Sequence, residues 1–340
     1  AVVLERLGWS LLTSTSAVKD PAVRKQMRDR ARAALLRSQQ LGNNSNLLRT
    51  ALEGLRNPDP TNLKFSQNVE ADRAMREGEE AHVRGELDKA IAAYERAFKL
   101  DPKLYLAPLF AGDMYFKKRE WDKAGEWFAR AVALNADVET AHRYWGDALM
   151  MGQNKKEESR DKFVEAIVAD PYNRRAWMGL TQWAQRYGVR LAHPRVEPAA
   201  GVSSAPNGNT TITIDPKSLD RSDDGSSAWM MYGISRAAWK VDKFKKEYPA
   251  ETTYRHSLRE EADALRMTIE SVRQQMKDKK IKTLDPMLAN LLKLEEEGLL
   301  EAFILFARAD EGIARDYAAY RAANRDRLRR YLTQYVAADK

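Results

Sequence analysis

The chain is expected to be all-α: a solenoid of helical hairpins and a C-terminal helical bundle, with a short β-hairpin or extended linker between them. Three observations predict this. Between Val69 and Val189 a pattern of small and aromatic residues recurs every 34 residues, with Gly78, Gly112 and Gly146 at the same place in successive units. Outside it, apolar residues recur at helical spacing. One stretch, 189–225, turns to Pro, Gly, Ser, Asn and Thr and separates two helical regions.

A chain of 340 residues is longer than one hydrophobic core usually serves, so several domains are expected. They are drawn at 1–68, 69–188, 189–225 and 226–340. With 44% hydrophobic and 31% charged residues, the chain has enough apolar surface to fold and is not read as disordered. Its most apolar window, Leu299–Ala307, is short and broken by Glu301, so no membrane span is expected. The absence of cysteine excludes disulfides, thiolate metal sites and cysteine nucleophiles. Taken with Ala rather than Met at position 1, it tilts the expected compartment toward the periplasm or export over the cytoplasm.

The first 68 residues read as helices forming a divergent or capping unit. Val3, Leu4, Leu7, Leu11 and Leu12 share one helical face, and Val23, Met27, Ala31, Leu35 and Leu36 share another. Asp20-Pro21 is an N-cap followed by proline in the first turn. Leu41-Gly42-Asn43-Asn44 is the stop. A third helix is expected over Leu47–Leu55, ended by Asn57-Pro58-Asp59-Pro60.

In the first repeat, Gly78 and Ala81 lie on one helix and Gly85 closes the turn. Ala90, Tyr94 and Ala97 lie on the next helix, which stops at Leu100-Asp101-Pro102. The second repeat has Gly112, Tyr115, Trp121, Ala124, Phe128, Ala131 and Leu134. The third has Gly146, Leu149, Phe163, Ala166 and Asp170-Pro171, with one extra residue expected near Gln153-Asn154-Lys155. Small residues let antiparallel helices approach, aromatics fill the wedge between units, and proline stops the second helix. This pattern resembles the tetratricopeptide repeat over residues 69–188. A capping helix comes next with Trp177 and Leu180 in register, but Thr181 stands where the family has a small residue. Ala136, Ala81 and Ser159 are further departures.

The resemblance implies a superhelix whose concave wall is made of first helices. By register that wall carries Met75, Glu79, His82 and Val83, then Leu109, Asp113, Phe116 and Lys117, then Arg143, Asp147, Met150 and Met151, and last Met178, Gln182 and Arg186. Glu79, Asp113 and Asp147 repeat as a ladder of acids. The Lys and Asn residues of the family's carboxylate clamp are absent from these places, which argues against a chaperone tail with a free C-terminal carboxylate. A groove of methionines flanked by acids suits a segment carrying Lys or Arg. The alternative is that the groove holds the chain's own linker or bundle.

In the connector, Asn207-Gly208 is a hairpin turn signal and Thr210–Asp215 alternates as a strand, with a partner near Val196 or Val202. A hairpin there would need to lean on a helical layer; the alternative is a flexible linker. The region from Ser226 to Ala338 reads as four or five antiparallel helices. The first carries Trp229, Tyr232, Ala238 and Val241 on one side with Trp239 and Phe244 beside it, ending at Tyr248-Pro249. The second has a capping box of Ser257 and Glu260. Asp285-Pro286 starts the third, and Gly298 and Gly312 bend or break the helical pattern between there and Tyr335.

No phosphate loop, dinucleotide turn or serine elbow is present, and the four histidines are scattered, so no catalytic residue, metal or cofactor is expected. Glu157-Glu158, Glu260-Glu261 and Glu295-Glu296-Glu297 read as solvated faces. Trp229, Tyr232, Arg236 and Trp239 form the densest aromatic cluster, read as core or as a second docking face. The net charge of +8 gathers at Arg24, Lys25, Arg28, Arg30, Arg32 and Arg37 and at Arg321, Arg325, Arg327, Arg329 and Arg330. Both runs read as solvated helix faces. The leading functional reading is therefore a non-enzymatic scaffold binding an unidentified peptide or protein in the groove. Two alternatives stand beside it: a ligand-binding or catalytic bundle served by the repeats, and nucleic-acid binding through the basic ends, which predicts steep salt dependence.

Overall fold

Helices dominate the computed structural model, which describes residues 2–15, 18, 20–41, 43, 45, 48, 50–52, 55, 64–204, 210–216 and 223–338. These fall into two units, Ala1–Arg76 and Glu77–Lys340. Among the described residues no helix is long and apolar enough to cross a membrane.

In the first unit, α1 (Val2–Ser14) packs on α2 (Pro21–Gln40). Asp20 caps α2 as expected, accepting from the Ala22 and Val23 amides at 2.8 and 3.4 Å. The buried face of α1 keeps only part of the one its leucines suggested: Leu11 and Leu12 pack against the core of this unit. Val3 and Leu7 are 79% and 49% exposed. The approach is made at Gly8, where an added Cβ would lie 2.5 Å from Leu35 Cγ. Close backbone packing at a glycine outweighs the count of apolar side chains and turns the helix. Glu5 is thereby buried, accepting from Asn43 Nδ2 at 2.8 Å and from the Ser45 hydroxyl. On α2, Ala31 and Leu35 are buried with Leu48, Ala51 and Leu55, whereas Val23 and Leu36 face outward. Most of the expected third helix, its proline stop and the Asn207-Gly208 turn lie outside the described residues.

The repeats comprise α3 (Val69–Val83), α4 (Leu87–Leu100), α5 (Leu106–Lys117), α6 (Trp121–Leu134), α7 (Glu139–Asp147) and α8 (Lys156–Ala169), closed by α9 (Arg174–Tyr187). Each repeat glycine faces the ring of its own second helix. An added Cβ would sit 2.3 Å from Tyr94 at Gly78, 2.6 Å from Phe128 at Gly112 and 2.6 Å from Phe163 at Gly146. On α9 the close approach belongs to Gly179, 2.3 Å from Phe163 by the same measure, and Thr181 instead bonds its own helix at Trp177 O, 2.9 Å.

The turns inside repeats are alike until the third. Gly85 and Arg119 take positive φ of 76° and 60°, and the amides of Glu86 and Glu120 return to Ala81 O and Tyr115 O at 2.9 and 3.0 Å. In the third repeat Asn154 takes φ 51° and the Lys155 amide reaches one residue farther back, to Leu149 O at 3.0 Å. The extra residue is therefore absorbed earlier than the sequence suggested, in a π-turn over Ala148–Gly152. A wider helical turn accommodates an insertion while keeping its hydrogen bonds, which a lengthened loop does not require.

The connector contains the antiparallel pair β1 (Ala200–Ser204) and β2 (Thr210–Ile214), with Val202 opposite Ile212. It leans on α10 (Trp229–Ala238), where an added Cβ on Gly233 would meet Ile212 Cγ2 at 2.6 Å and Ala200 Cβ at 3.3 Å. A π-turn at Trp239–Lys243 continues from α10 and rephases the chain: Trp239 is buried and Val241 is 71% exposed, the reverse of the straight-helix reading. Next come α11 (Leu258–Lys277), α12 (Pro286–Glu296) and α13 (Tyr317–Tyr331). Asp285 caps α12 through Met287 N at 2.8 Å, and Gly298 beyond it adopts φ 68°. Ser257 caps α11 through Glu260 N at 3.1 Å, but the Glu260 carboxylate turns away to Arg236 and Tyr254, so only half of the expected capping box forms.

One core runs through Phe163, Leu180 and Trp183 of the repeats and Trp229, Leu265, Phe303, Leu328 and Tyr331 beyond the connector. Polar bonds seal the join: the Tyr317 hydroxyl donates to Val168 O at 2.7 Å and the Tyr172 hydroxyl to Leu305 O at 3.3 Å. Arg325 grips Glu165 at 3.0 and 2.9 Å and Asp137 at 2.8 Å, and Arg321 pairs with Asp137 at 2.7 Å. These two arginines, read from sequence as part of a solvated face, dock α13 on the third repeat.

The glycine–ring approach has a direct test. Gly112→Ala should lower stability by about 1–3 kcal/mol in urea unfolding, overpacking outweighing the better helix propensity of alanine. Adding Phe128→Leu should recover part of that loss, whereas strictly additive losses would mean the ring is not what the methyl group meets.

Candidate functional site

Two places gather functional groups, and their chemistry differs. The first is the face of the first helices. Glu79 accepts from the Tyr94 hydroxyl at 2.6 Å. His82 Nε2 lies 2.5 Å from Lys117 Nζ, and the same ammonium pairs with Asp113 at 3.2 Å. Phe116 stands edge-on to Trp121, with centroids 5.1 Å apart. Arg143 bonds Glu139 at 3.0 Å and lies over the Tyr144 ring. Gln182 is exposed and Met178 is 49% exposed. Three members of the sequence-derived set are not available as a surface: Met75, Leu109 and Met150 are 0%, 5% and 5% exposed. The π-turn explains the last, since it carries Met150 into the core and leaves Met151 59% exposed.

The three acids of the ladder have different surroundings. Glu79 has a hydroxyl donor and Asp113 has an ammonium. Asp147 has no hydrogen bond or ion pair among the described residues; burial pushes its carboxyl up to about 6, with only the charge of Arg143 pulling the other way. It ends α7 where the π-turn begins.

The second place is a buried polar cluster in the C-terminal region. Glu260 and Glu261, read from sequence as a solvated pair, are both 0% exposed. Glu261 accepts from the Tyr232 hydroxyl at 2.8 Å, Arg236 at 3.1 Å, Arg308 Nε at 2.7 Å and His256 Nε2 at 3.1 Å. Burial alone would raise its pKa, but His256, Arg308 and Arg236 together hold it at about 2. Glu260 accepts from Arg236 Nε at 2.7 Å and the Tyr254 hydroxyl at 2.8 Å. Tyr232 is pushed up to about 12, first by burial and then by the Glu261 charge.

This arrangement corrects the second docking face. Trp229, Tyr232 and Trp239 are 1%, 4% and 0% exposed, and Arg236 is spent on Glu260 and Glu261, so the cluster is core. Sequence reasoning missed the roles of His256, Glu261 and Arg308. One signal was present: Glu261 precedes Leu265 by four residues and Val272 by eleven, which puts it on the apolar stripe of α11. A carboxylate on such a stripe needs partners from other elements, and those are distant in sequence.

Comparison with solved structures returns repeat domains. They include the second TPR domain of human RPAP3 in complex with the HSP70 peptide SGPTIEEVD (22% identity over 34% of this chain and 95% of that one, TM-score 0.32). Also similar are the Sgt2 TPR domain from Aspergillus fumigatus (19%, 39% and 85%, TM-score 0.34) and MamA (17%, 61% and 94%, TM-score 0.32). No family model matches the chain. The paired helices, their repeat glycines facing rings, and the recurring turns give residues 69–188 the tetratricopeptide fold.

Each place yields a pH or mutational prediction. Glu261→Gln leaves Arg308 and Arg236 without their shared charge and should cost about 3–5 kcal/mol in urea unfolding at neutral pH. In the parent protein, the stability that Glu261 contributes is present above its ordinary pKa of 4.5 and is lost as pH falls toward 2. Asp147 has the opposite sign. Its folded carboxyl keeps a proton up to about 6 while the unfolded one releases it near 3.8, so stability falls as pH rises through that window. Asp147→Asn should therefore raise stability by about 1–2 kcal/mol at about pH 7.5, and the gain should vanish near about pH 4. A gain that does not change with pH would assign the effect to packing.

Proposed function

We propose that the chain is a non-enzymatic scaffold whose first-helix wall takes a peptide or protein segment carrying Lys or Arg beside apolar residues. The observation that carries this reading is Asp147, a carboxyl that burial holds partly desolvated and that has no hydrogen bond or ion pair among the described residues. A cationic side chain laid along the wall supplies the missing charge. It passes Asp113 on the way, and Met151 and Met178 offer apolar surface to its neighbours. The wall is spanned by Glu79, His82, Asp113, Phe116, Lys117, Arg143, Asp147, Met178 and Gln182. Methionine adapts to several partner shapes, while the acids select for positive charge.

Two further facts support an open wall. The C-terminal region packs on α8 and on Trp177 of α9, where the Trp177 ring lies 6.4 Å from Phe306, and this leaves Met178 half exposed. Within the buried cluster, both carboxylate oxygens of Glu261 are engaged by the chain's own arginines, tyrosine and histidine, while Glu260 Oε2 has no partner among the described residues. That supports a structural part for it in a chain that works by binding.

Panning a random peptide display library on the full chain tests the reading. Enriched sequences should combine Lys or Arg with apolar residues, and a synthetic peptide of the enriched sequence should bind at least about tenfold more weakly to Asp113→Ala and to Phe116→Ala, a loss of about 1.4 kcal/mol. Far-UV circular dichroism of both variants should match the parent, and Asp113→Ala should also melt as the parent does, while Phe116→Ala gives up its packing on Trp121. Enrichment of acidic peptides, or equal affinity in parent and variants, would overturn the assignment.

A further inference from the structure

A cavity of about 620 Å³ lies between the third repeat and α13, away from the first-helix wall. Its size is within the range of small-molecule sites. Five cationic side chains line it, Arg160, Lys162, Arg325, Arg329 and Arg330, against two carboxylates, Asp161 and Glu165. Those carboxylates are already engaged. Arg325 holds Glu165 through two nitrogens at 3.0 and 2.9 Å, and Arg160 holds Asp161 through two at 3.0 Å. Arg329 reaches Asp326 at 2.7 Å and Glu165 only at 3.6 Å.

Two cations are left over. Arg330 and Lys162 pair with no carboxylate among the described residues. Lys162 Nζ instead sits 3.5 Å from the centroid of the Trp145 ring, and burial draws its pKa down against the more distant charges of Glu165 and Asp161.

His142 supplies an independent observation. It lines the same cavity and is 3% exposed. Its Nε2 lies 3.0 Å from Ala136 O, which makes that nitrogen the donor and leaves Nδ1 as the acceptor of the neutral ring. Nδ1 is buried and has no partner among the described residues. Buried polar atoms in folded proteins are nearly always bonded, so His142 is a sensitive reporter of any rearrangement at the cavity wall.

We propose that this cavity binds a small polyanion of the phosphate class, with Lys162, Arg329 and Arg330 taking its charged oxygens and His142 beside them on the cavity wall. Arginine forks match tetrahedral oxyanions, and a lysine ammonium adds a point charge. Such a ligand touches α7, α8 and α13 together, so its binding reinforces the docking that Arg325 and Glu165 begin.

Calorimetric titration of the full chain with tripolyphosphate, at matched ionic strength, tests this. Saturable one-to-one binding is expected, weakened at least about tenfold by Arg330→Gln, whose side chain is exposed and whose loss should leave melting unchanged, and likewise by Lys162→Met. In proton–carbon spectra of the four histidines, His142 should shift on titration while His82 stays still. The proposal is overturned if the heats track ionic strength alone, if Arg330→Gln binds as well as the parent, or if only long single-stranded RNA binds and tripolyphosphate does not.

Discussion

The Phe163 ring is the constraint on which the rest of the molecule depends. Gly146 of α7 and Gly179 of α9 both face it so closely that a methyl group on either would meet the ring, and the same ring belongs to the core that continues beyond the connector. Three layers of structure therefore register on one side chain. Core packing at near-crystal density transmits small volume changes to neighbouring elements, so the third repeat, its capping helix and the C-terminal region respond as one body. A solenoid has an exposed apolar face at its last unit and needs a cap. Here the cap is a whole helical region, held by Tyr317, Tyr172, Arg321 and Arg325 bonds to the last repeat.

Charge obeys the same logic. An excess of eight positive charges suggests a polyanion-binding face when read as a number. In the folded chain much of the C-terminal share is consumed internally: Arg321 and Arg325 dock helices, while Arg236, Arg255 and Arg308 neutralise Glu260, Glu261, Asp316 and Glu251. Buried ion pairs of this kind add little net stability, yet removing one partner is costly, so they fix arrangement more than they strengthen it. Among the described residues, groups without a partner of opposite charge include both signs: Asp147 on the wall, and Lys162 and Arg330 in the cavity beside α13.

Much of the fold was legible because its signals are short-range. The three repeat glycines and the Asp20 and Asp285 caps each depend on residues close in sequence or on a strict period, whereas the hairpin partner was narrowed only to Val196 or Val202, with a linker as the alternative, before the structure paired Val202 with Ile212. Side-chain direction was legible only while helices kept 3.6 residues per turn. Each π-turn shifts that phase, which is why Trp239 is inside and Val241 outside, and why Met150 left the wall that its register assigned. The face of α1 was misread at Val3 and Leu7 for a related reason, since Gly8 contributes no hydrophobicity although it approaches Leu35 closely. The Glu261 cluster was hidden because its partners come from three separate segments, and nothing local distinguishes a carboxylate that will be buried from one that will stay in water.

The π-turn at Ala148–Gly152 also changes what a repeating groove can read. Two rungs, at Glu79 and Asp113, are set one repeat apart, a spacing that by itself would let a periodic ligand laid along the proposed groove slide by one unit. The third rung breaks that translational symmetry, because the extra residue rotates the side chains beyond Asp147 relative to their counterparts. A segment bound along the wall as proposed would thus meet rungs that are not interchangeable, and the inserted residue would work as an index mark that tells one end of the groove from the other.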